Sequence, residues 1–257
     1  WLQTEWPDLR VYLTSVTDQW SVAAVVGPNS RKVVSEVCDG IDFSPEAFPF
    51  MSYRAGAVAG IPARLFRISF YGELSFEINV SAHYGRAVWE ALMAAGEKYG
   101  ITPYGTEVMH VLRAEKGYII DGQDTDGSRT PADMGLDWLV SKRKDFLGRR
   151  SLSRSDTARD GRKQLVGLLT ESPMEVLPEG GQIVDDPSVK VPMPMIGYVT
   201  SSYYSAYLER SIALAIVAGG RSRMGETVYV PLIDGRTVGA KITSPVFYDP
   251  EGARQDV

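Results

Sequence analysis

The sequence predicts an α+β fold followed by a smaller all-β domain. Three observations support this. In the first part of the chain, strand-like alternating runs are interspersed with amphipathic helical runs. A charged segment over residues 151–163 then changes the composition abruptly. After that segment the apolar runs are short and strand-like, with no long helical run between them.

The predicted elements of the first part begin with a strand over Val22–Val26 and a helix over Arg31–Val37, capped at Ser30. We predict two further strands over Arg64–Phe70 and Leu74–Val80. In the second of them Phe76, Ile78 and Val80 alternate with Ser75, Glu77 and Asn79. One face of this strand therefore packs and the other is polar.

Two helices are predicted after these strands. The first is capped by Ser81 and ends near Gly100. The second runs from Thr106 to about Lys116, and its predicted inner side carries Val108, Val111, Leu112 and Glu115.

The predicted all-β part has four strand-like regions after residue 160. Asp234-Gly235 is a strong hairpin signal between two of the runs. The expected strands are Leu165–Leu169, Ile196–Thr200, Ile212–Val217 and the hairpin Thr227–Ile233 with Arg236–Thr243.

Composition excludes several classes of protein. The 257 residues carry a net charge of -5, which argues against binding driven by nucleic-acid phosphates. No apolar run approaches the roughly 20 residues that span a membrane. Two histidines and one cysteine make a metal site improbable. The stretch Asp121–Gly127 fails the spacing of a calcium loop, because its twelfth position is Asp133 rather than glutamate.

The location of the chain is also an expectation from composition. The single cysteine, Cys38, fits a reducing cytoplasm. The opening residues Trp1–Trp6 contain no initiating Met and no signal-peptide pattern, so we expect the chain to begin inside a larger protein.

Three residues could take part in ligand binding, and each could instead have a purely structural role. Glu77 lies in a strand, where glutamate is depleted, on the face away from Phe76. It is either a solvated edge residue or a carboxylate that accepts paired N–H donors from a ligand. Arg113 and Glu115 lie two apart on a helix, so they either orient a site or pair with neighbours. The Gly56–Gly60 match to Gly-x-x-x-Gly is interpreted as a turn.

These residues also lie within motifs of a known family. The stretch Arg67–Glu77 resembles the Arg-x-Ser/Gly-Tyr-Thr-Gly-Glu-x-Gly-Phe/Tyr-Glu signature of the glycine-cleavage T-protein family of aminomethyltransferases. Further segments resemble that family's motifs in the same order: Leu112–Tyr118, Thr130–Trp138, Lys142–Arg149, Gly197–Ser201 and Ile212–Ala215. The resemblance extends over roughly residues 15–250.

The resemblance implies a fold and its divisions. The expected fold is the folate-binding cloverleaf of aminomethyltransferases, truncated at its N-terminus and followed by a C-terminal barrel-like domain. Residues 1–45 would be the second half of the first lobe and residues 46–155 the second lobe. Residues 160–250 would form the barrel.

The resemblance also implies a tetrahydrofolate site. The family's pterin-binding glutamate matches Glu77, and a pocket tyrosine of the family matches Phe70. Loss of that hydroxyl could be compensated by Tyr71, while Tyr118 matches a pocket aromatic residue and Arg113 a conserved arginine. We expect no catalytic residue here, since the family's aspartate lies upstream of the segment that matches Val16–Asp18.

The sequences of the segments Trp1–Thr17 and Arg67–Glu77 are most similar to one branch of this family, the one found in alpha subunits of heterotetrameric sarcosine oxidases. For that branch the resemblance implies capture of a one-carbon unit as 5,10-methylene-tetrahydrofolate. Flavin and NAD would bind in other parts of the polypeptide or in partner subunits. The expected partners are other sarcosine oxidase subunits and folate, with no nucleic acid and no membrane. The chain by itself is expected to be inactive.

Two alternatives remain open. Phe70 departs from the family's tyrosine, and Met109 stands where the family often carries an arginine. A scaffold or interaction module that keeps the fold without binding folate would accommodate both departures. A freestanding glycine-cleavage T-protein is the other alternative, and it would need a complete N-terminal lobe.

Overall fold

The computed structural model describes residues 1–255 and residue 257. The chain forms two compact units. The first contains Trp1–Ser69, Glu73–Pro103 and Arg254–Val257, and the second contains Phe70–Gly72 and Tyr104–Ala253. The predicted lobe boundaries at residues 45 and 155 remain a prediction.

The first unit is built on an antiparallel sheet. Its strands are β1 (Trp20–Val26), β2 (Cys38–Asp39), β3 (Ser52–Val58), β4 (Ile61–Arg67) and β5 (Ser75–Ser81). They lie in the order β1-β5-β4-β3-β2. The helices are α1 (Leu2–Glu5), α2 (Ser30–Val37) and α3 (Gly85–Gly96), with short 3-10 turns at 17–19, 82–84 and 97–99.

The core of the first unit lies between the sheet and helices α2 and α3. Val33 and Val34 of α2 and Val88 and Leu92 of α3 are buried in it. The apolar side of β5 enters the same core, where the ring of Phe76 lies 5.5 and 5.6 Å from two further phenylalanines, Phe48 and Phe43. This packing confirms the predicted alternation from Phe76 onward, because Phe76 and Ile78 are fully buried while Glu77 is not. Ser75, which was predicted on the polar face, is fully buried instead.

The second unit contains a six-stranded antiparallel sheet, consistent with the predicted barrel. The strands are β6 (Lys163–Thr170), β7 (Gln182–Ile183), β8 (Gly197–Ser205), β9 (Arg210–Ala218), β10 (Thr227–Pro231) and β11 (Thr237–Thr243). Their order is β10-β11-β6-β9-β8-β7. A bridge between Val184 and Tyr229, with N–O distances of 2.9 and 3.0 Å, joins the two ends of this order. The sheet thereby closes on itself.

The helical elements of the second unit are few. They are α4 (Thr106–Glu115), the short α5 (Ser155–Ala158) and 3-10 turns at 137–139, 149–153 and 220–223. Helix α4 contacts β8 and β9. No helix in the described part of the chain is both long and apolar enough to cross a membrane.

Ser30 does not cap α2 as predicted: it is the first residue of the helix, and its hydroxyl donates to the Leu74 carbonyl at 3.1 Å. Three further details of the predicted elements are wrong. The Gly56–Gly60 segment is not a turn throughout, because its first three residues complete β3 and only Ala59 and Gly60 form the turn, with φ of 50° and 76°. Four of the seven residues of this strand are small and one is charged, so no alternation of apolar and polar residues marks it. The predicted Arg64–Phe70 strand ends at Arg67, and Phe70 belongs to the second unit.

The third detail is the inner side of α4. Of the four residues predicted there, Glu115 is buried as expected, Val111 and Leu112 are only partly buried, and Val108 is 43% exposed. Arg113 and Ala114, which were not predicted there, are buried as well. The helix packs through polar side chains, and Ser205 Oγ on β8 donates a 2.6 Å hydrogen bond to Glu115. Periodicity of apolar residues cannot detect a face of this kind.

Candidate functional site

Glu77 occupies the middle of β5, with a neighbouring strand on each side. It is opposite Ala24 on β1 and opposite Phe66 on β4. Its side chain is half-buried on the sheet face that does not enter the core. The backbone register therefore fixes this residue at a central position of the sheet.

The Glu77 carboxylate has no hydrogen-bond or ion-pair partner among residues 1–255 and 257. Burial raises the pKa of Glu77 above its usual value of 4.5. A half-buried carboxylate without a partner carries a desolvation cost that an N–H donor from a ligand would offset. Glu77 does not lie on an edge strand, and its part in ligand binding remains a prediction.

The sequence did not single out Phe66, which lies beside Glu77, or Tyr53, which lies one strand further on. The ring of Phe66 is 5.3 Å from the ring of Tyr53 on β3, and these two residues are opposite each other in the sheet. On the other side of Glu77 lies the small side chain of Ala24. Ala24, Glu77, Phe66 and Tyr53 thus form one row across four strands. The alternation within a single strand does not predict which residues of neighbouring strands lie opposite each other.

In the second unit, Phe70, Tyr71 and Tyr118 form a connected aromatic group. Phe70 stacks on Tyr118 with a centroid separation of 6.0 Å and an interplanar angle of 18°. The ring of Tyr71 lies edge-on to Phe70 at 6.4 Å and edge-on to Tyr104 at 5.6 Å. Phe70 thus contacts both Tyr71 and Tyr118, which are two other predicted folate residues. Tyr104, which the sequence did not single out, extends the aromatic group.

The position of Tyr118 depends on how α4 ends. Gly117 adopts a φ of +68°, a conformation that favours glycine, and the Tyr118 amide donates to the Arg113 carbonyl at 2.9 Å. A Cβ at Gly117 would lie 2.6 Å from the carbonyl oxygen of Pro245. Both the backbone conformation and the close packing therefore require glycine directly before Tyr118.

Arg113 lies fully buried behind this aromatic group. Its guanidinium forms an ion pair with Asp124, donates to the Tyr118 carbonyl at 3.0 Å and donates to Ser201 Oγ at 2.7 Å. Of the two roles considered for Arg113 from the sequence, the structure shows the one in which it pairs with neighbouring residues. A direct contact between Arg113 and a ligand remains a prediction.

The predicted residues divide between the two units. Phe70, Tyr71, Arg113 and Tyr118 belong to the second unit and Glu77 to the first. Their assignment as folate-binding residues remains a prediction. In the described part of the chain, no group of three or more His, Cys, Asp or Glu is arranged to hold a metal ion.

Two family models match the chain. Residues 1–144 match the GCVT N-terminal domain, and residues 163–249 match the glycine cleavage T-protein C-terminal barrel domain. The interval between the two matches lies largely within the charged segment noted in the sequence.

Curated relatives are similar over the whole chain. The sarcosine oxidase subunit alpha of Corynebacterium sp. (strain P-1) is 51% identical over 100% of the chain and 27% of its own length. The corresponding subunit of Rhizobium meliloti (strain 1021) is 40% identical over 99% of the chain and 26% of its length. The chain thus spans about a quarter of the length of these relatives.

A solved structure supports the fold. The glycine cleavage system aminomethyltransferase T from Bartonella henselae matches with a TM-score of 0.63 and 18% identity, over 90% of this chain and 84% of that protein. At this identity the match supports the fold alone. Together with the two family models and the closed sheet of the second unit, these findings show that the chain belongs to the glycine-cleavage T-protein (GCVT) family.

Proposed function

We propose that this chain binds a reduced folate, tetrahydrofolate, and serves the capture of a one-carbon unit. The observation that carries the proposal is the Glu77 carboxylate, which is half-buried on a central strand and has no partner among the residues that the structure describes. The amino-pyrimidine edge of a pterin presents two adjacent N–H donors, which match a carboxylate in a bidentate arrangement. Glu77 would hold and orient the ring through these bonds.

The aromatic group of the second unit supports the same proposal. Phe70 and Tyr118 present stacked rings, and Tyr71 could supply the hydroxyl that Phe70 lacks. Flat heteroaromatic ligands gain stacking and burial energy against such side chains. The proposed role of Phe70, Tyr71 and Tyr118 within the second unit is therefore to offer an aromatic surface to a flat ligand ring.

The proposed activity follows from the relatives. Two of them carry the name sarcosine oxidase subunit alpha, so we propose that the one-carbon unit comes from oxidised sarcosine. Bound tetrahydrofolate would supply two amine nucleophiles that form bonds to the methylene carbon of the sarcosine-derived iminium. Cleavage of the bond from that carbon to the glycine nitrogen would release glycine, with the amine protons passing to it, and leave 5,10-methylene-tetrahydrofolate. The chain's residues contribute orientation and shielding from water, which would otherwise release the unit as formaldehyde.

The oxidation itself is proposed to occur elsewhere. Flavin and NAD would bind in other parts of a longer polypeptide or in partner subunits, consistent with relatives that are about four times longer and are named as subunits. A cytoplasmic location completes the proposal and is favoured by the free cysteine, Cys38.

Calorimetric titration of tetrahydrofolate under anaerobic conditions tests the proposal. Glu77→Gln should weaken binding by about 1.5–3 kcal/mol, the usual contribution of a hydrogen bond to a charged group. The matched control is Glu90→Gln, which removes an exposed carboxylate of α3 paired with Arg86 in the same unit. Its affinity should equal that of the wild type.

Two results would count against folate binding. An absence of binding by the folded wild-type protein would favour the scaffold alternative. Equal losses in both variants would mean that general charge, rather than the Glu77 site, determines the affinity.

A further inference from the structure

Arg113 and Asp124 form an ion pair in the second unit, and both side chains are completely inaccessible. The Asp124 carboxylate is saturated by protein donors. Besides Arg113, it accepts hydrogen bonds from the Ile120 amide at 2.9 Å, Thr200 Oγ1 at 2.6 Å and Ser201 Oγ at 2.7 Å. No group of this carboxylate remains available to a ligand.

The ion pair holds the backbone around Tyr118 from several directions. The Arg113 guanidinium binds the Tyr118 carbonyl at 3.0 Å, and the Arg113 carbonyl binds the Tyr118 amide at 2.9 Å. Asp124 binds the amide of Ile120, two residues further on. Ser201, on β8, joins both members of the pair and so connects them to the barrel.

From these contacts we infer that the Arg113–Asp124 pair, with Ser201, positions Tyr118 for ligand binding. This inference rests on the proposed function, because Tyr118 is a proposed pocket residue. Arg113 then acts on the ligand through Tyr118, whose ring stacks on Phe70, rather than by touching folate.

The energetics of buried ion pairs fit this role. Burying two charges is costly, and apolar replacements of similar volume are often as stable. A buried ion pair forms directional hydrogen bonds, whereas apolar contacts have no directional bonding. Here that directional bonding falls on the backbone groups of Tyr118 and Ile120.

A second buried ion pair in the same unit provides a matched control. Arg162 and Asp133 are 2.7 Å apart with side chains 8% and 4% exposed. Their other hydrogen-bond partners include Thr130, Ser128 and Asp156, and none of these three lies in the Tyr118 segment. Breaking this pair should therefore lower stability without disturbing Tyr118.

The test compares Ser201→Ala, Asp124→Asn and Asp133→Asn in three measurements: the melting temperature, the tetrahydrofolate dissociation constant and hydrogen exchange of residues 118–120. All three variants should melt below the wild type. Ser201→Ala should exchange faster at 118–120 and bind folate roughly tenfold more weakly, the effect of losing one hydrogen bond to a charged group. Asp133→Asn should have the wild-type dissociation constant for tetrahydrofolate and the wild-type rate of hydrogen exchange at residues 118–120. If Asp124→Asn does not fold, Ser201→Ala decides.

The outcomes separate this inference from the proposed function. Wild-type affinity in Ser201→Ala, combined with a loss in Glu77→Gln, would overturn the positioning role and leave folate binding intact. Equal loss of affinity in Ser201→Ala and Asp133→Asn would also overturn it, since general destabilisation would then explain both. If the folded wild type does not bind tetrahydrofolate, the proposed function fails and the inference fails with it.

Discussion

Asp133 and Arg162 form an ion pair at 2.7 Å within the second unit, and Arg162 directly precedes the first strand of the barrel. Arg162 lies at the end of the charged segment 151–163, yet its side chain is buried. The backbone carbonyl of Asp133 also accepts a hydrogen bond from the Leu165 amide at 2.9 Å. The loop containing Asp133 is thereby attached to the start of β6.

Asp133→Asn should therefore destabilise the protein by about 3–5 kcal/mol, because it leaves the buried Arg162 charge without its main partner. Urea unfolding measures the change. Asp156→Asn is the control, since Asp156 contacts the same arginine but is 74% exposed. We expect that control to change the free energy of unfolding by no more than about 1 kcal/mol. Similar losses in both variants would contradict the assignment.

The same pair predicts an acid dependence. Burial opposes ionisation of Asp133, but hydrogen bonds from Arg162 and Thr130 outweigh it and lower the pKa of the carboxyl below 3.8. The stabilisation is complete above the unfolded value of 3.8 and is lost as the pH falls through the lowered pKa of the folded state. The wild type should therefore lose its advantage over Asp133→Asn in that range. If the difference in stability between the wild type and Asp133→Asn stayed constant across this pH range, ionisation of Asp133 would not be linked to stability.

The contribution of Glu77 to the free energy of unfolding should depend on pH with the opposite sign. Burial raises the pKa of Glu77, so the folded state disfavours the carboxylate. This cost is absent below the ordinary pKa of 4.5 and is complete above the raised pKa of the folded state. Glu77→Gln should accordingly melt above the wild type at neutral pH, and the difference should vanish in acid.

Thermal unfolding across the pH range measures the Glu77 effect, with Glu90→Gln as the exposed control. Wild-type affinity for tetrahydrofolate should also decline as the pH falls through the raised pKa of Glu77. A variant that is less stable than the wild type at neutral pH would show that Glu77 has a structural partner instead.

Phe70→Ala should weaken tetrahydrofolate binding by removing the ring that stacks on Tyr118 at 6.0 Å. Loss of an aromatic pair costs about 0.5–1.5 kcal/mol beyond the buried area. Phe70→Leu restores much of the apolar volume without the ring, so it should recover stability more than affinity. Calorimetric titration and melting curves distinguish the two effects, and full affinity in Phe70→Ala would remove Phe70 from the pocket.

Gly167→Ala should destabilise the barrel by about 1–3 kcal/mol through overpacking. Gly167 lies in β6, and an added Cβ would be 2.8 Å from the ring of Phe247 and would contact the Ser244 backbone. Gly127→Ala is the control, because no atom lies within 4 Å of the corresponding position. Denaturant unfolding should show the difference, and equal stability of the two variants would indicate that Ser244 moves away.

Much of the local structure could be predicted from the pattern of residues. The Asp234-Gly235 turn between β10 and β11 is observed, as is the helix that begins at Thr106. Turn chemistry and periodicity act over a few residues, which makes such features readable. Strand β3 was missed because small and charged residues mask its alternation.

The candidate site was predictable only in part. Glu77 was identified because a glutamate in a half-apolar strand is unusual. Its neighbours Phe66 and Tyr53 became visible only through the register of three strands. Register depends on pairing between distant segments, which the alternation of a single strand does not specify.

The sequence by itself determined the family motifs, the alternation that keeps Glu77 out of the core and the glycine that ends α4 before Tyr118. Only the tertiary structure decided the partners of Arg113. They are Asp124, eleven residues away, and Ser201, 88 residues away. The physical reason is that a buried charge takes whichever donors and acceptors the packed elements bring within reach. That choice is made by the closing of the barrel against α4 and not by any local pattern.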